Sequence, residues 1–309
     1  MTTTPDISVV MGVYNGAGAL PETIDSVLSQ DGVSLEFIVV DDGSTDATPE
    51  VLEHYQRLDS RVKILRQEHQ GLTKALIKGC DTARGKFIAR QDVGDMSLPG
   101  RLSRQLELLT SSSDVSFVSC GTRFVGPQCE LLYEVLPQSS DQTSGLLTLD
   151  IDRIKGPSMH GCTMFPRDKY TAIGGYRSAF YFAQDLDLWI RLAEKGKHLA
   201  VPDVLYQAGL SIGSITSRYR RQQVATAKLI LESARLRRAT KNDQTVLQRA
   251  AQITPRGAAK SSGRSKANAL YFIGACLRQR RDPQAAHYFQ RALQAHPLHF
   301  KSALRLITG

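Results

Sequence analysis

The chain has 309 residues, 41% of them hydrophobic, with 39 Lys or Arg against 30 Asp or Glu. That length buries a sizeable core and fits one α/β domain with an appendage, which excludes a small stapled scaffold. The five cysteines (Cys80, Cys120, Cys129, Cys162, Cys276) are odd in number, widely spaced and form no C-x-x-C pair, which argues against a disulfide framework or zinc ribbon and for a reducing compartment. No apolar run approaches the roughly 18 residues of a membrane span, and the start, MTTTPDISVV, lacks the pattern of a signal peptide, so a cytoplasmic protein is expected.

In chain order, Ile7 to Val13 and Leu35 to Val40 read as buried strands, with a helix over Leu20 to Gln30 between them. A helix follows over Ala47 to Tyr55, then a strand at Val62 to Leu65, a helix over Leu72 to Ala83 and a strand at Phe87 to Ala89. This alternation at short connection lengths predicts an α/β fold, Rossmann-like, with a mostly parallel sheet flanked by helices. A helix from about Leu98, with Pro99 in its first turn, leads to a strand at Val115 to Ser119. Residues 126 to 160 then read as a long excursion, and regularity returns in an amphipathic helix over Leu186 to Lys195, stopped by Gly196.

Beyond Ser217 the chain reads as helical and basic. Residues 216–309 carry 19 Lys or Arg and three acids, leaving 20 bases and 27 acids to residues 1–215. This split predicts a catalytic domain over 1–215 and a helical basic C-terminal extension over 216–309. A Gly/Ser/Lys/Arg stretch at 254–265 reads as a flexible linker. In the segment 267–309, Ala285, Phe289, Ala292 and Pro297, preceded by ALYFIGACLRQ, resemble half of a tetratricopeptide repeat. One repeat cannot make a solenoid, so a helical hairpin is expected. The excess of cations suits an anionic membrane surface; no nucleic acid is expected, because no RNA-binding motif and few interleaved aromatics accompany them.

Ligand sites in such sheets gather at the carboxyl ends of strands. Three acidic groups lie there or at a helix start. Asp41-Asp42-Gly43-Ser44-Thr45-Asp46 follows the second strand; its carboxylates can accept from a nucleobase and ribose, while Thr45 or Asp46 can cap the next helix. Arg90-Gln91-Asp92-Val93-Gly94-Asp95 follows a later strand and offers hard oxygen donors for Mg2+ or Mn2+ bridging to substrate phosphates. In Gln184-Asp185-Leu186-Asp187-Leu188-Trp189, either acid can cap the helix, and Asp185 in a cleft can act as general base.

Taken in order, ISVVMGVYNG, IVVDDGSTDAT, GLTKAL, ARGKFIARQDVGDMSLPGRLSRQ and GGYRSAFYFAQDLDLWIRLAEKG resemble the bacterial family 2 glycosyltransferases over roughly residues 5–210. The resemblance implies a GT-A fold and transfer of a sugar from a nucleotide-sugar donor, a UDP-sugar by default, to a glycan or lipid-linked acceptor, with inversion. It implies that Val13, Tyr14, Asn15 and Asp42 line the nucleotide pocket, with Asp41 and Arg90 beside them, that Asp92 holds a divalent metal, Mn2+ or Mg2+, and that Asp185 is the general base. The sequence departs from the family's D-x-D motif at Gly94, so that Asp95 compensates or Asp92 holds the metal with water and the donor diphosphate. A relative that lost activity and serves as a scaffold is the competing reading. A sugar nucleotidyltransferase is disfavoured, because GVYNGAG has no basic residue in a phosphate loop.

Other residues have plainer readings. His160 is either a metal or acceptor contact or a hydrogen-bonded structural residue, Lys74 and Arg90 are diphosphate contacts or solvated cations, and Trp189 belongs to a core stripe with Leu186, Ile190 and Ala193. Gly12, Gly16 and Gly18 do not have dinucleotide-fingerprint spacing.

Overall fold

The computed structural model describes residues 4–210, 219–255 and 262–307. Strand β1 (Ile7–Val13) pairs in parallel with β2 (Leu35–Asp41) and β4 (Phe87–Arg90), and β2 pairs in parallel with β3 (Val62–Arg66). Helices α1 (Leu20–Leu28), α2 (Thr48–Leu58) and α3 (Leu72–Thr82) make the connections. The sheet continues past β4 through antiparallel β8 (Met164–Pro166), then β6 (Val115–Val125), β9 (Lys197–Gly209) and the short β5 (Met96–Ser97); β7 (Leu131–Val135) pairs with β6. The parallel half is where the alternating pattern was regular. Of the antiparallel strands, β6 covers the strand expected at Val115 to Ser119, β7 lies in the 126–160 excursion, and β8 and β9 follow it.

Alternation along the strands sorts side chains into two cores. Val10, Ile38, Val40 and Ile88 face one side, with Phe117, Phe165, Leu146 of α5 (Thr143–Leu147), Tyr170 of α6 (Arg167–Ala172) and α7 (Gln184–Ala193); Val9, Met11, Phe37 and Val39 face the other, with α1 and α4 (Arg101–Thr110). Two polar residues break the apolar runs and satisfy each other. Ser8 Oγ donates to Glu36 at 2.7 Å and accepts from the Gly85 amide at 2.8 Å, while Arg84 donates to Glu36 at 2.9 Å. Burial pushes the Glu36 carboxyl up, but Ser8 and Arg84 outweigh it and hold it below the ordinary range.

The described residues form two compact units, one of Met1–Thr122, Val135–Gln207 and Val224–Thr254, the other of Arg123–Glu134, Ala208–Gln223 and Pro255–Gly309. The division therefore does not fall at a single cut near residue 215. Most of α8 (Arg220–Arg238) and all of α9 (Gln244–Ala251) belong to the first unit. The reason is a charge cluster: Arg177 donates to Asp187 and, at 2.7 Å, to Asp243, and Ser233 donates to Asp243 at 2.5 Å.

The second unit has its own core. Leu270, Ile273 and Leu277 of α10 (Gly263–Gln279) pack with Ala285, Phe289 and Ala292 of α11 (Ala285–Ala295) and with Leu132. A Cβ on Gly274 would lie 2.8 Å from the Phe289 ring, so the small residue lets the helices approach. Residues 256–261 of the expected linker lie outside the described residues; its end is helical, since α10 begins at Gly263 and Ser262 caps it by accepting from the Ser265 amide at 3.2 Å.

Candidate active site

The carboxyl ends of β1 and β2 form one wall. Asp41, 3% exposed, accepts from the Ser44 amide at 2.9 Å. Asn15, at φ +52°, accepts from the Thr45 amide at 2.7 Å and donates its own amide to Ser44 at 2.9 Å. Asp46 accepts from the Thr48 amide at 3.0 Å and the Ala17 amide at 3.2 Å, fixing the start of α2 to the β1 loop. Val13 is buried beneath, and Tyr14 projects to solvent at 45% exposure.

Asp42 anchors the loop that follows β3. Its carboxylate accepts from Gln67 Nε2 at 2.6 Å, the Gln70 amide at 2.9 Å and the Gly71 amide at 2.8 Å, and pairs with His69 Nδ1 at 2.9 Å. These bonds hold the 67–71 loop beside the carboxyl end of β2 and lay the His69 ring on Tyr14, with centroids 4.0 Å apart. Gly71, at φ +93°, ends the loop where a Cβ would come within 2.5 Å of Tyr181. Lys74 is exposed and donates to Gln70 at 3.0 Å.

The end of β4 supplies Asp92 on a buried cationic support. Arg90 has no solvent exposure, so it does not reach a diphosphate as a solvated donor; it donates to Asp92 Oδ1 at 2.7 Å, to the Gln91 carbonyl at 3.1 Å and to the Val10 carbonyl. A second buried guanidinium, Arg101, donates to the carbonyls of Arg90 at 2.7 Å and Gly161 at 2.6 Å and to Gln91 at 3.0 Å, and lies 4.9 Å from the Tyr206 ring centre. Tyr206 accepts from the Asp92 amide at 3.2 Å and donates to Asp95 at 2.9 Å. Asp95 is 5% exposed.

Gly94 sits at φ +87°, and its amide donates to Thr23 at 2.9 Å. The departure from D-x-D has a conformational reason, since only glycine takes this backbone without strain. Asp92 Oδ2 accepts no hydrogen bond among the described residues, and its side chain is 26% exposed. No group of three or more His, Cys, Asp or Glu in metal-holding proximity occurs among the described residues. A carboxylate oxygen with no protein donor, on a partly exposed side chain, fits a hard divalent cation that keeps several waters and completes its shell with substrate phosphates.

His160, in the 3-10 turn His160–Cys162, is buried. Its Nε2 faces the Tyr176 hydroxyl at 2.6 Å and the Arg90 Nε at 3.4 Å, and burial together with Arg90 holds it well below the usual imidazole range, hence neutral. Trp189 packs edge-on at 6.1 Å between ring centres, buried as expected.

The start of α7 separates its two acids. Asp187 is buried and pairs with Arg191 at 2.6 Å and with Arg177; Arg191 also donates to the Gly175 carbonyl at 2.7 Å. Burial raises Asp187, but Arg191 and Arg177 outweigh it and hold the carboxyl low. Asp185 is partly buried, accepts from the Leu186 amide at 2.9 Å and pairs with no cation among the described residues. Burial pushes its carboxyl up, and the charge of nearby Asp92 adds to that.

A separate cavity of about 410 Å³ is lined by Ser119, Gln138, Gln142, Lys155, Ser158 and His198 among others, and by neither Asp92 nor Asp185. His198, stacked 4.2 Å from Phe117, is pushed down by burial to about 3 and is neutral.

The profile of the glycosyl transferase family 2 matches residues 8–170, more than half of the chain. This chain belongs to glycosyl transferase family 2. As a family 2 glycosyltransferase it is 28% identical to EpsE of Bacillus subtilis (strain 168) over 76% of this chain and 84% of EpsE. It is 30% identical to the O-antigen biosynthesis glycosyltransferase WbnJ of Escherichia coli over 60% of this chain and 71% of WbnJ. Among solved structures, the mannosyltransferase PcManGT from Pyrobaculum calidifontis, in complex with GDP-Man and Mn2+, superposes with a TM-score of 0.58 at 18% identity, over 99% of this chain and 88% of that one. The glycosyltransferase thus has a GT-A fold. No helix among its described residues is long and apolar enough to cross a membrane.

The residues that sequence reasoning missed are the supports: His69, Gln67, Tyr176, Arg101 and Tyr206. The available signal for Arg101 is its place two residues after Pro99, at the helix start.

Proposed function

We propose that this glycosyltransferase moves a sugar from a nucleoside-diphosphate sugar, by default a UDP-sugar, to an acceptor hydroxyl of a surface polysaccharide or lipid-linked glycan. The named role of WbnJ in O-antigen biosynthesis and the GDP-Man bound by PcManGT support the substrate class. The acceptor oxygen bonds to the anomeric carbon as the bond from that carbon to the diphosphate oxygen breaks, with inversion. The bonding pair leaves on the nucleotide, and the hydroxyl proton passes to Asp185.

The observation that carries this reading is the contrast between Asp185 and Asp187. One helix start offers a carboxylate neutralised by two arginines and another whose affinity for a proton is raised, which is the property a general base requires. The nucleotide lies against Val13, Tyr14 and Asn15, with Asp41 and Asp42 shaping the loops rather than reaching the base. Arg90 acts as a positioning residue for Asp92. A divalent cation, Mn2+ or Mg2+, held at Asp92 with water and the donor diphosphate would neutralise the leaving group. We place the reaction at the cytoplasmic face of a membrane, where the basic C-terminal segment meets anionic lipid.

Nucleotide release from a panel of nucleotide sugars, with water or an acceptor extract, tests the assignment. Asp185→Asn is expected to lower turnover by about 10²–10⁴-fold with donor affinity kept; equal turnover in the variant would remove Asp185 from the chemistry.

A further inference from the structure

The second unit ends in α12 (Phe300–Ile307), FKSALRLI, whose sequence places three large apolar residues at i, i+4 and i+7. That spacing normally marks the buried face of a helix. Here it marks the exposed one: Phe300 is 78% exposed, Leu304 60% and Ile307 82%, and Leu298 just before them is 70% exposed. Ser302, on the opposite side, is fully buried, and Leu306 packs against the core of the unit.

The helix is held firmly in this orientation. His299 contacts Ser302 Oγ at 2.8 Å and Asn268 Oδ1 at 3.1 Å, tying the start of α12 to α10, and Arg278 donates to the Arg305 carbonyl at 2.7 Å near its other end. Lys301 and Arg305 are exposed along one edge of the apolar stripe. Residues 262–307 carry eight Lys or Arg and one acid, Asp282.

We propose that α12 is an interfacial helix that seats this glycosyltransferase on an anionic lipid surface, inserting Phe300, Leu304 and Ile307 among the acyl chains while Lys301 and Arg305 meet lipid phosphates. The proposal rests on the membrane-facing reading of the basic segment and names the element and face that make the contact. Eight residues of helix extend about 12 Å, too short to cross a hydrocarbon core of about 30 Å but suited to lying in its boundary. Charge selects this occupant over a second copy of the chain. Two copies meeting through the stripe would bring Lys301, Arg305 and their neighbouring cations against like charges, whereas anionic headgroups neutralise them.

Co-sedimentation of the full chain with phosphatidylcholine vesicles, with and without phosphatidylglycerol, tests the assignment beside light scattering of the free protein. The wild type is expected to bind only the anionic vesicles. Phe300→Ser/Leu304→Ser/Ile307→Ser is expected to weaken binding at least tenfold with its melting temperature and donor turnover unchanged, since these side chains are exposed. Lys301→Gln/Arg305→Gln is expected to weaken it roughly 30-fold at low salt. Wild type that binds no vesicle overturns both the proposal and the membrane-facing reading. Triple-serine protein that binds as well as wild type overturns the α12 proposal alone. A stripe-dependent dimer without vesicle binding overturns it in favour of a second copy.

Discussion

Asp92 accepts its hydrogen bond from Arg90, a guanidinium with no solvent exposure, at 2.7 Å. The carboxylate is therefore aimed from inside the sheet, by a cation whose other donors go to the Val10 and Gln91 carbonyls and to His160. Removing either partner exposes the cost of that arrangement. Asp92→Ala leaves a buried guanidinium short of its counter-charge and is expected to cost about 1–3 kcal/mol, less than a fully buried pair because Asp92 is partly solvated. Asp92→Asn keeps an acceptor oxygen and is expected to cost less. Urea denaturation of the two variants checks the order, and equal losses would show that Arg90 does not depend on this bond.

The opposite sign is expected at Asp185. Its native carboxyl titrates above its unfolded value because of burial and the charge of Asp92. The associated stability is present below the unfolded value and lost as pH rises through the native one, so at neutral pH the ionised group destabilises the metal-free protein. Asp185→Asn is expected to raise the melting temperature at pH 7 by about 2 °C and to abolish the gain near pH 3. A thermal melt at both pH values measures this. An unchanged or lowered midpoint at pH 7 would contradict the assigned environment.

Asp187 behaves as a structural acid. Arg191 and Arg177 hold it below its unfolded value despite burial, so its contribution is present above that value and lost as pH falls through the native one. Asp187→Asn strands the buried Arg191 and takes one of its two acids from the partly exposed Arg177, and is expected to cost about 3 kcal/mol. Hydrogen exchange in the 220–254 helices, whose Asp243 shares Arg177, is expected to accelerate with it. Unchanged exchange would mean the cluster does not tie those helices to the first unit.

Gly94→Asp restores the letter of D-x-D without its chemistry. The backbone stands at φ +87°, and a Cβ there lies 3.8 Å from Ala19. The obstacle is conformational rather than steric, about 1–2 kcal/mol. The variant is expected to lose stability and to gain no metal-dependent nucleotide affinity, as read by calorimetric titration with UDP and Mn2+. A gain in affinity would show that position 94 does contribute a ligand.

The parallel half of the fold was legible because β1 and β2 are buried on both faces and read as unbroken apolar runs. The carboxylates were legible because they sit at strand ends and a helix start. What the sequence hid were long-range partners. Nothing near Asp42 announces that its oxygens are taken by Gln67, Gln70 and Gly71, some 25 to 29 residues later. Arg90 reads as a loop cation until the sheet closes over it. Asp185 and Asp187 are equivalent as letters, and only the placement of Arg177 and Arg191 separates a base from a strut. Gly263 to Ser265 read as flexible from composition, whereas Ser262 caps a helix that begins at Gly263.

The central claim is that the pocket around Tyr14, Asp92 and Asp185 binds a nucleotide-sugar donor. Thermal-shift measurements of the wild type, Asp92→Asn and Asp185→Asn against UDP, GDP, dTDP and CDP, each with Mn2+, Mg2+ or chelator, test it most directly. One nucleotide is expected to raise the midpoint of wild type and Asp185→Asn in the presence of metal, and to do so far less in Asp92→Asn. No shift with any nucleotide, or a shift equal in Asp92→Asn and in chelator, would contradict it.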